Sequence, residues 1–257
     1  GWFHLPCRIE EGYMLSGERQ LEIINIIRES GVAEVEYLAK TLGVSTMTIR
    51  RDLKKLDESG LIERCYGGAV RKTEVTYEAK RIKKHESKIK IAANAAKYVH
   101  DGMAVFLDAG TTTFEIAKNI MNINNLTIVT NDIEIASLLV NSDCDLIICG
   151  GTVQKSTKSV YGYYAMDMIK KFSFDIGFFG AASINDKLQV MTPTIEKAFL
   201  KKIVIEQCKV SILAVDNSKF DRDGLHIINE LSDYTAVITD REFSSEESRL
   251  LDKSAKT

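Results

Sequence analysis

Between Val35 and Arg71 the hydrophobic pattern changes from helical to extended, and glycines mark the breaks. Val35, Leu38, Ala39 and Leu42 recur at i, i+3, i+4 and i+7, the spacing of one helix face. Gly43 interrupts that face for a tight turn. Ser45 then caps a further helix, expected over Thr46–Glu58, whose Ile49, Leu53 and Leu56 form its buried stripe. Val44 and Ile49 stand where a hydrophobic staple would join the turn to this helix. After the Gly60 stop, the runs Leu61–Tyr66 and Ala69–Arg71 flank Gly67-Gly68, a dipeptide suited to a two-residue hairpin turn. Upstream, Ile23, Ile26 and Ile27 predict a first helix that opens at Ser16 and stops before Gly31. This succession of helices, tight turn, capped basic helix and hairpin is that of a winged helix-turn-helix, assigned to residues 14–72.

Such a motif lays the start of its recognition helix in the DNA major groove. The candidate contacts there are Ser45, Thr46, Met47, Thr48, Arg50 and Arg51, with Lys54 extending the same basic face. Arg50 and Arg51 lie off the buried stripe, where a guanidinium can pair with phosphate or with a guanine edge. Any amphipathic helix has a charged face; the ordered elements around this one are what point to DNA. Thr46 and Thr48 are equally well explained as capping or solvent-facing hydroxyls.

Composition narrows the remaining classes. Net charge is −2 over 257 residues, yet basic residues concentrate from Arg50 through Lys90, so one part of the chain suits phosphates. The 5 cysteines are scattered with no CxxC pair, which argues against a disulfide framework and a zinc site and for a reducing cytoplasm. No apolar run nears the roughly 18 residues that span a bilayer, and no signal peptide is evident, so a membrane partner is not expected. Residues 1–13 lack periodicity and read as a disordered or expression-derived extension, with Met14 as the natural start.

Residues 73–88 are polar, basic and poor in apolar periodicity, and are expected to be a linker, with room for some helix. From residue 89 to 257 short apolar runs alternate with helical segments, the pattern of a mostly parallel α/β sheet covered on both faces. Strands are expected at Ala104–Asp108, Leu126–Thr130, Asp145–Cys149, Phe174–Phe179, Val210–Val215 and Thr235–Thr239. Helices are expected at Ile89–Val99, Thr112–Met121, Ile133–Val140, Tyr163–Phe172, Ile195–Gln207 and Ser244–Ser254.

Ligands of open α/β sheets sit at the carboxyl ends of the strands. Here those ends read Asp108-Ala109-Gly110-Thr111-Thr112-Thr113, Asn131-Asp132, Gly150-Gly151-Thr152, Asp216-Asn217-Ser218-Lys219 and Asp240. In the first, a glycine and three hydroxyl residues open a helix whose unpaired N–H groups attract an anion. Plain helix capping also explains the threonines, but the repetition of polar strand ends favours a ligand. Lys219 would add charge and Asp108 would accept sugar hydroxyls, a pairing suited to a phosphosugar.

The stretches Val44–Leu53, Leu56, Gly60 and Arg64-Cys65-Tyr66-Gly67-Gly68-Ala69 resemble the signature of DeoR-family (GlpR-like) bacterial transcription regulators. The resemblance continues through Leu107–Thr113, Val129-Thr130-Asn131, Cys149-Gly150-Gly151, Gly162, Glu196, Asp216–Phe220 and Ile238-Thr239-Asp240. It implies a carbohydrate-operon regulator, usually a repressor, that binds double-stranded operator DNA through Ser45–Arg51, with Arg64 and Tyr66 of the wing near the backbone. Asp52 is expected to tie the recognition helix to its neighbours. The resemblance also implies a sensor domain similar in fold to ribose-5-phosphate isomerase, a phosphorylated-sugar effector at Asp108, Gly110, Thr111, Thr112, Thr113, Asn131, Gly150, Gly151, Glu196 and Lys219, no cofactor or metal, and a homodimer or homotetramer. One position departs from the pattern. An arginine commonly stands three residues after the second glycine, and Gln154 replaces it here, leaving Lys155 or Lys158 as substitutes. The rival reading is a sugar-phosphate isomerase carrying a helix-turn-helix, with Asp108, Asp216, Lys219 and Asp240 as its acid–base groups.

Overall fold

The computed structural model describes residues 15–30, 32–58, 62–65, 67–71 and 77–248. They fall into two compact units, Gly1–Lys72 and Thr73–Thr257. Tyr66, Gly60 and the extension 1–13 lie outside the described residues.

In the first unit, helices α1 (Ser16–Ser30), α2 (Val35–Thr41) and α3 (Thr46–Glu58) pack on a three-stranded antiparallel sheet of β1 (Val32–Glu34), β2 (Ile62–Cys65) and β3 (Gly68–Arg71), ordered β1-β3-β2. The expected stripe is the core: Ile49, Leu53 and Leu56 of α3 are buried against Ile23 and Ile27 of α1, Leu38 of α2 and Ile62 of β2. Burying each such side chain contributes about 1.5–3 kcal/mol. Strand β1 was not legible in the sequence, being three residues long with a single buried side chain, Ala33. It makes Gly68 obligatory, because a Cβ at that position would collide with the Ala33 carbonyl across the sheet.

The second unit opens with α4 (Tyr77–Ile82) and α5 (His85–Ala96). Within the expected linker 73–88, residues 77–82 and 85–88 are helical. Two anchors without periodicity hold them, Tyr77, which meets the Phe114 ring edge-on, and the buried Lys88. There follow β4 (Ala104–Leu107), α6 (Thr111–Ile120), β5 (Thr127–Thr130), α7 (Ile133–Leu139), β6 (Asp145–Ile148), the hairpin β7 (Thr152–Gln154) and β8 (Ser159–Tyr161), and α8 (Tyr163–Ile169). The unit continues with β9 (Phe174–Phe179), β10 (Ser183–Ile184), β11 (Gln189–Thr192), α9 (Ile195–Glu206), β12 (Cys208–Ala214), β13 (His226–Glu230) and β14 (Ala236–Ile238). Residues 245–248 begin the expected last helix; its remainder lies outside the described residues.

Six strands form one parallel sheet in the order β14-β12-β9-β4-β5-β6. Successive side chains of a strand face opposite sides, so Val105 and Leu107 enter the core beneath α5, α6 and α7 while Phe106 enters the core beneath α8 and α9. A small antiparallel sheet, β10-β11-β13, covers part of the second face. The order of connection reverses between β4 and β9. At such a switch point the loops leaving the two strands diverge and open a crevice.

Candidate functional site

In the first unit the turn between α2 and α3 is set by Gly43, at φ +64°. Leu42 N–H donates to the Leu38 carbonyl at 2.9 Å and Val44 N–H to the Ala39 carbonyl at 3.1 Å, closing the end of α2. The Ser45 hydroxyl caps α3, accepting from Thr48 N–H at 3.1 Å and sharing a 2.9 Å contact with the Thr48 hydroxyl. Ser45 and Thr48 thus have a capping role in the fold. Asp52 is fully buried and accepts from Arg19 Nε at 2.6 Å and Gln20 Nε2 at 3.1 Å, tying α3 to α1. Opposite that buried edge, Thr46, Met47, Arg50, Arg51 and Lys54 are exposed, Met47 by 79%. The exposed methionine stands between hydroxyls and guanidiniums, on the side of α3 away from the Ile49, Leu53 and Leu56 stripe. Arg64 is exposed on β2, its N–H donating to Asp57 at 3.4 Å.

In the second unit the crevice at the switch point is a cleft of about 740 Å³, counted out to its open mouth. The loop 108–113 after β4 and Gly180–Ala182 after β9 line it, together with Lys80, Lys88, Lys197, Lys201 and Lys219. Helix α6 starts at its floor with Gly110 as N-cap, which has no side chain to satisfy the first turn. Among the described residues, the N–H groups of Thr111, Thr112 and Thr113 have no acceptor, whereas Phe114 N–H already reaches the Gly110 carbonyl at 2.9 Å. The loop ahead of them is held from the next strand end: Ala109 N–H donates to Asn131 Oδ1 at 2.9 Å and Gly110 N–H to Asp132 Oδ2 at 3.0 Å. Asn131 also donates to the Val160 carbonyl at 3.2 Å, so its polar atoms position the loop. Burial pushes the Asp132 carboxyl up to about 7, against the pull of the N–H groups of Ile135, Glu134 and Gly110.

The lysines differ in their engagements. Lys88 Nζ donates to the Lys83 carbonyl at 2.6 Å and to that of Lys80, pinning the end of α4, and burial pulls its pKa down. Lys201 pairs with Asp108 and donates to the Gly180 carbonyl at 2.7 Å. Lys197 donates to the Thr157 hydroxyl at 3.1 Å. Lys219 has no acceptor for its ammonium among the described residues; burial, reinforced by repulsion from Lys80, brings its pKa to about 8. Asp108 is not free to meet a ligand alone, since its Oδ2 accepts from both Lys201 and the Gly180 N–H.

The cleft thus brings together Asp108, Gly110, Thr111, Thr112, Thr113, Asn131 and Lys219. It does not include Gly150, Gly151 or Glu196. Gly151 serves the close crossing of β7 on β8, where a Cβ would meet the Tyr161 carbonyl at 2.5 Å, and Glu196 is exposed on the first turn of α9. Nor does Lys155 or Lys158 line it. Lys158 is bound to Glu78 at 2.7 Å and Glu134 at 2.8 Å and lies over the Tyr77 ring, fastening α4 to α7. Asp216 caps a 3₁₀ turn through Ser218 N–H at 3.0 Å and Asp240 accepts from Asn217 N–H at 2.6 Å, so both carboxylates support backbone. The four lysines overlooked in the sequence came from two sources. Lys80 and Lys88 sit in the basic stretch credited to DNA, and Lys197 and Lys201 are i, i+4 partners whose inward direction only the fold reveals.

Two family models match the chain: the DeoR-like helix-turn-helix domain over residues 19–75 and the DeoR C terminal sensor domain over residues 83–241. An uncharacterized HTH-type transcriptional regulator of Haemophilus influenzae is 36% identical over 236 residues, 90% of this chain and 92% of its own. The HTH-type transcriptional regulator GlpR of Haloferax volcanii is 35% identical, over 88% of this chain and 91% of its own. The glycerol-3-phosphate regulon repressor of Escherichia coli is 31% identical, over 88% and 92%. Among solved structures, ribose 5-phosphate isomerase A of Methanocaldococcus jannaschii aligns with a TM-score of 0.39 and 20% identity over 53% of this chain and 54% of its own.

Proposed function

The chain belongs to the DeoR family of helix-turn-helix transcription regulators, and from that premise we propose that it represses a carbohydrate-metabolism operon and is released from operator DNA by a phosphorylated sugar. Its relatives are named as regulators and repressors, and it is a DNA-binding regulator and not an enzyme. DNA is read by the exposed face of α3, Thr46, Met47, Thr48, Arg50, Arg51 and Lys54 about the Ser45 cap, with Arg64 and Tyr66 of the wing near the phosphates. Because winged helices read paired half-sites, the working form is a homodimer or homotetramer, in the cytoplasm.

One observation carries the effector reading: three N–H groups of the α6 first turn, without acceptors among the described residues, open into a cleft lined by five lysines. A helix start attracts anions by its dipole and its unpaired donors. Lys219 adds an ammonium that a phosphate would re-charge and pair. The relative named for a glycerol-3-phosphate regulon supports a phosphorylated ligand. Release then requires unequal affinity of the effector for the DNA-competent and released arrangements; a coupling of about 1–3 kcal/mol changes operator occupancy some 5- to 150-fold.

The test is a footprint of the purified protein on DNA upstream of its own gene, with and without a panel of phosphosugars. Protection lost with one or more phosphosugars, and kept with the same sugars unphosphorylated, is the expected result. Protection indifferent to every phosphosugar would remove the effector reading and leave the DNA reading standing.

A further inference from the structure

We propose, resting on the phosphosugar reading above, that Ser159 reads the sugar part of the effector by accepting a hydrogen bond from one of its hydroxyls, and that Gln154 fixes this direction through Thr157.

Ser159 opens β8, is 1% exposed and lines the cleft. The strand is fixed against the loop that holds the start of α6: Val160 N–H donates to the Asn131 carbonyl at 2.7 Å and Ile133 N–H to the Lys158 carbonyl at 3.0 Å. The Ser159 hydroxyl is 2.9 Å from the Thr157 hydroxyl, which lies 2.8 Å from Gln154 Oε1 and accepts from Lys197 Nζ at 3.1 Å. Thr157 is itself buried, and neither Thr157 nor Gln154 lines the cleft.

A hydroxyl has a single proton to give, and an amide oxygen has none. The Gln154 contact is therefore a hydrogen bond only when Thr157 donates it; otherwise lone pairs would face each other at 2.8 Å. The Lys197 ammonium donates only, and its charge beside Thr157 favours the oxygen end of the Gln154 amide there over the NH₂ end. With the Thr157 proton committed to Gln154, the contact between Thr157 and Ser159 has to be made by the Ser159 proton. What Ser159 has left for the cleft is lone pairs. A phosphate dianion also offers only lone pairs, so it takes the N–H groups of α6 and the ammoniums and gains nothing from Ser159. A sugar hydroxyl, which donates, fits. A site that fixes the direction of a buried hydrogen bond rejects a ligand unable to complete it, so Ser159 selects for a hydroxyl, and Gln154 acts on the cleft without touching it.

Calorimetric titration of the full chain with glucose 6-phosphate, fructose 6-phosphate, ribose 5-phosphate and glycerol 3-phosphate identifies the tightest binder. Deoxyfluoro analogues of that ligand then replace each hydroxyl in turn by fluorine, which cannot donate. One analogue should bind the unaltered protein about tenfold more weakly than its parent. Ser159→Ala should weaken the parent about tenfold and leave that analogue nearly unchanged, the coupling expected of a direct contact. Thr157→Val frees the Ser159 proton to turn toward the cleft and should strengthen the same analogue about threefold. Gln154→Glu, which still only accepts, should keep the ratio of parent to analogue affinity. Ser159→Ala that binds the parent normally, or weakens the parent and every analogue alike, would overturn the proposal and leave the phosphosugar reading intact. Thr157→Val that weakens the analogue, or Gln154→Glu that abolishes the ratio, would overturn the direction assigned to Ser159. Binding by none of the phosphosugars would end both readings.

Discussion

Arg50 and Arg51 project from a helix whose opposite edge is anchored by the Asp52 carboxylate on Arg19 and Gln20, so their removal should touch DNA affinity and not folding. Arg50→Ala or Arg51→Ala is expected to weaken operator binding by about 1–3 kcal/mol where the lost contact is bidentate to a base. Gel-shift titration at fixed salt, with unfolding midpoints alongside, measures both quantities. Lys219 makes a prediction through pH. Folding lowers its pKa from 10.5 to about 8, so between those values the unfolded chain keeps a proton that the folded chain has lost. The stability of the empty protein therefore gains from this group as pH rises across that window. A phosphate reverses the balance by restoring the ammonium. Ligand affinity should thus fall as pH rises above about 8, and Lys219→Gln should weaken binding and flatten that fall; calorimetry on either side of that pH decides it.

At the scale of elements, the hairpin that follows α3 depends on Gly68 more than on its turn. The Ala33 carbonyl leaves no room for a Cβ there. Gly68→Ala should destabilise the first unit by about 1–3 kcal/mol through overpacking and weaken operator binding with it, read by urea unfolding and gel shift. The reason the sequence hid this is instructive. It showed Gly67-Gly68 as a turn, but β1, against which Gly68 presses, has no repeat by which to be seen. The long elements were legible, because α3, α6 and the inner strands of the parallel sheet each bury a regular set of side chains. Elements held by particular contacts were not: α4 is fixed by Tyr77 on Phe114 and by Lys158 on Glu78 and Glu134, pairings between residues far apart in the chain. The site divided in the same way. Its loop 108–113 stood out as a motif, whereas four of its five lysines come from helices whose inward faces depend on packing.

The two units have separate hydrophobic cores, so a multi-domain unfolding curve is the expectation. A phosphosugar at 100 times its dissociation constant should raise the stability of the unit that binds it by about 2.7 kcal/mol. Differential scanning calorimetry should show one transition moving upward while a transition retained by a fragment of residues 14–72 stays in place. Movement of both, or of that one alone, would contradict the assignment of the ligand to the second unit. The loop at the start of α6 has a last consequence. Asn131 and Asp132 hold Ala109 and Gly110 through hydrogen bonds within the protein. Affinity gained there is not diminished by ordering the loop, and association should be limited by encounter, not by closure. The same rigidity makes the loop a poor messenger, because a contact made equally in two arrangements shifts no equilibrium between them. The loop gives grip; any difference between the DNA-bound and released arrangements has to arise at the lysines that other elements bring to it.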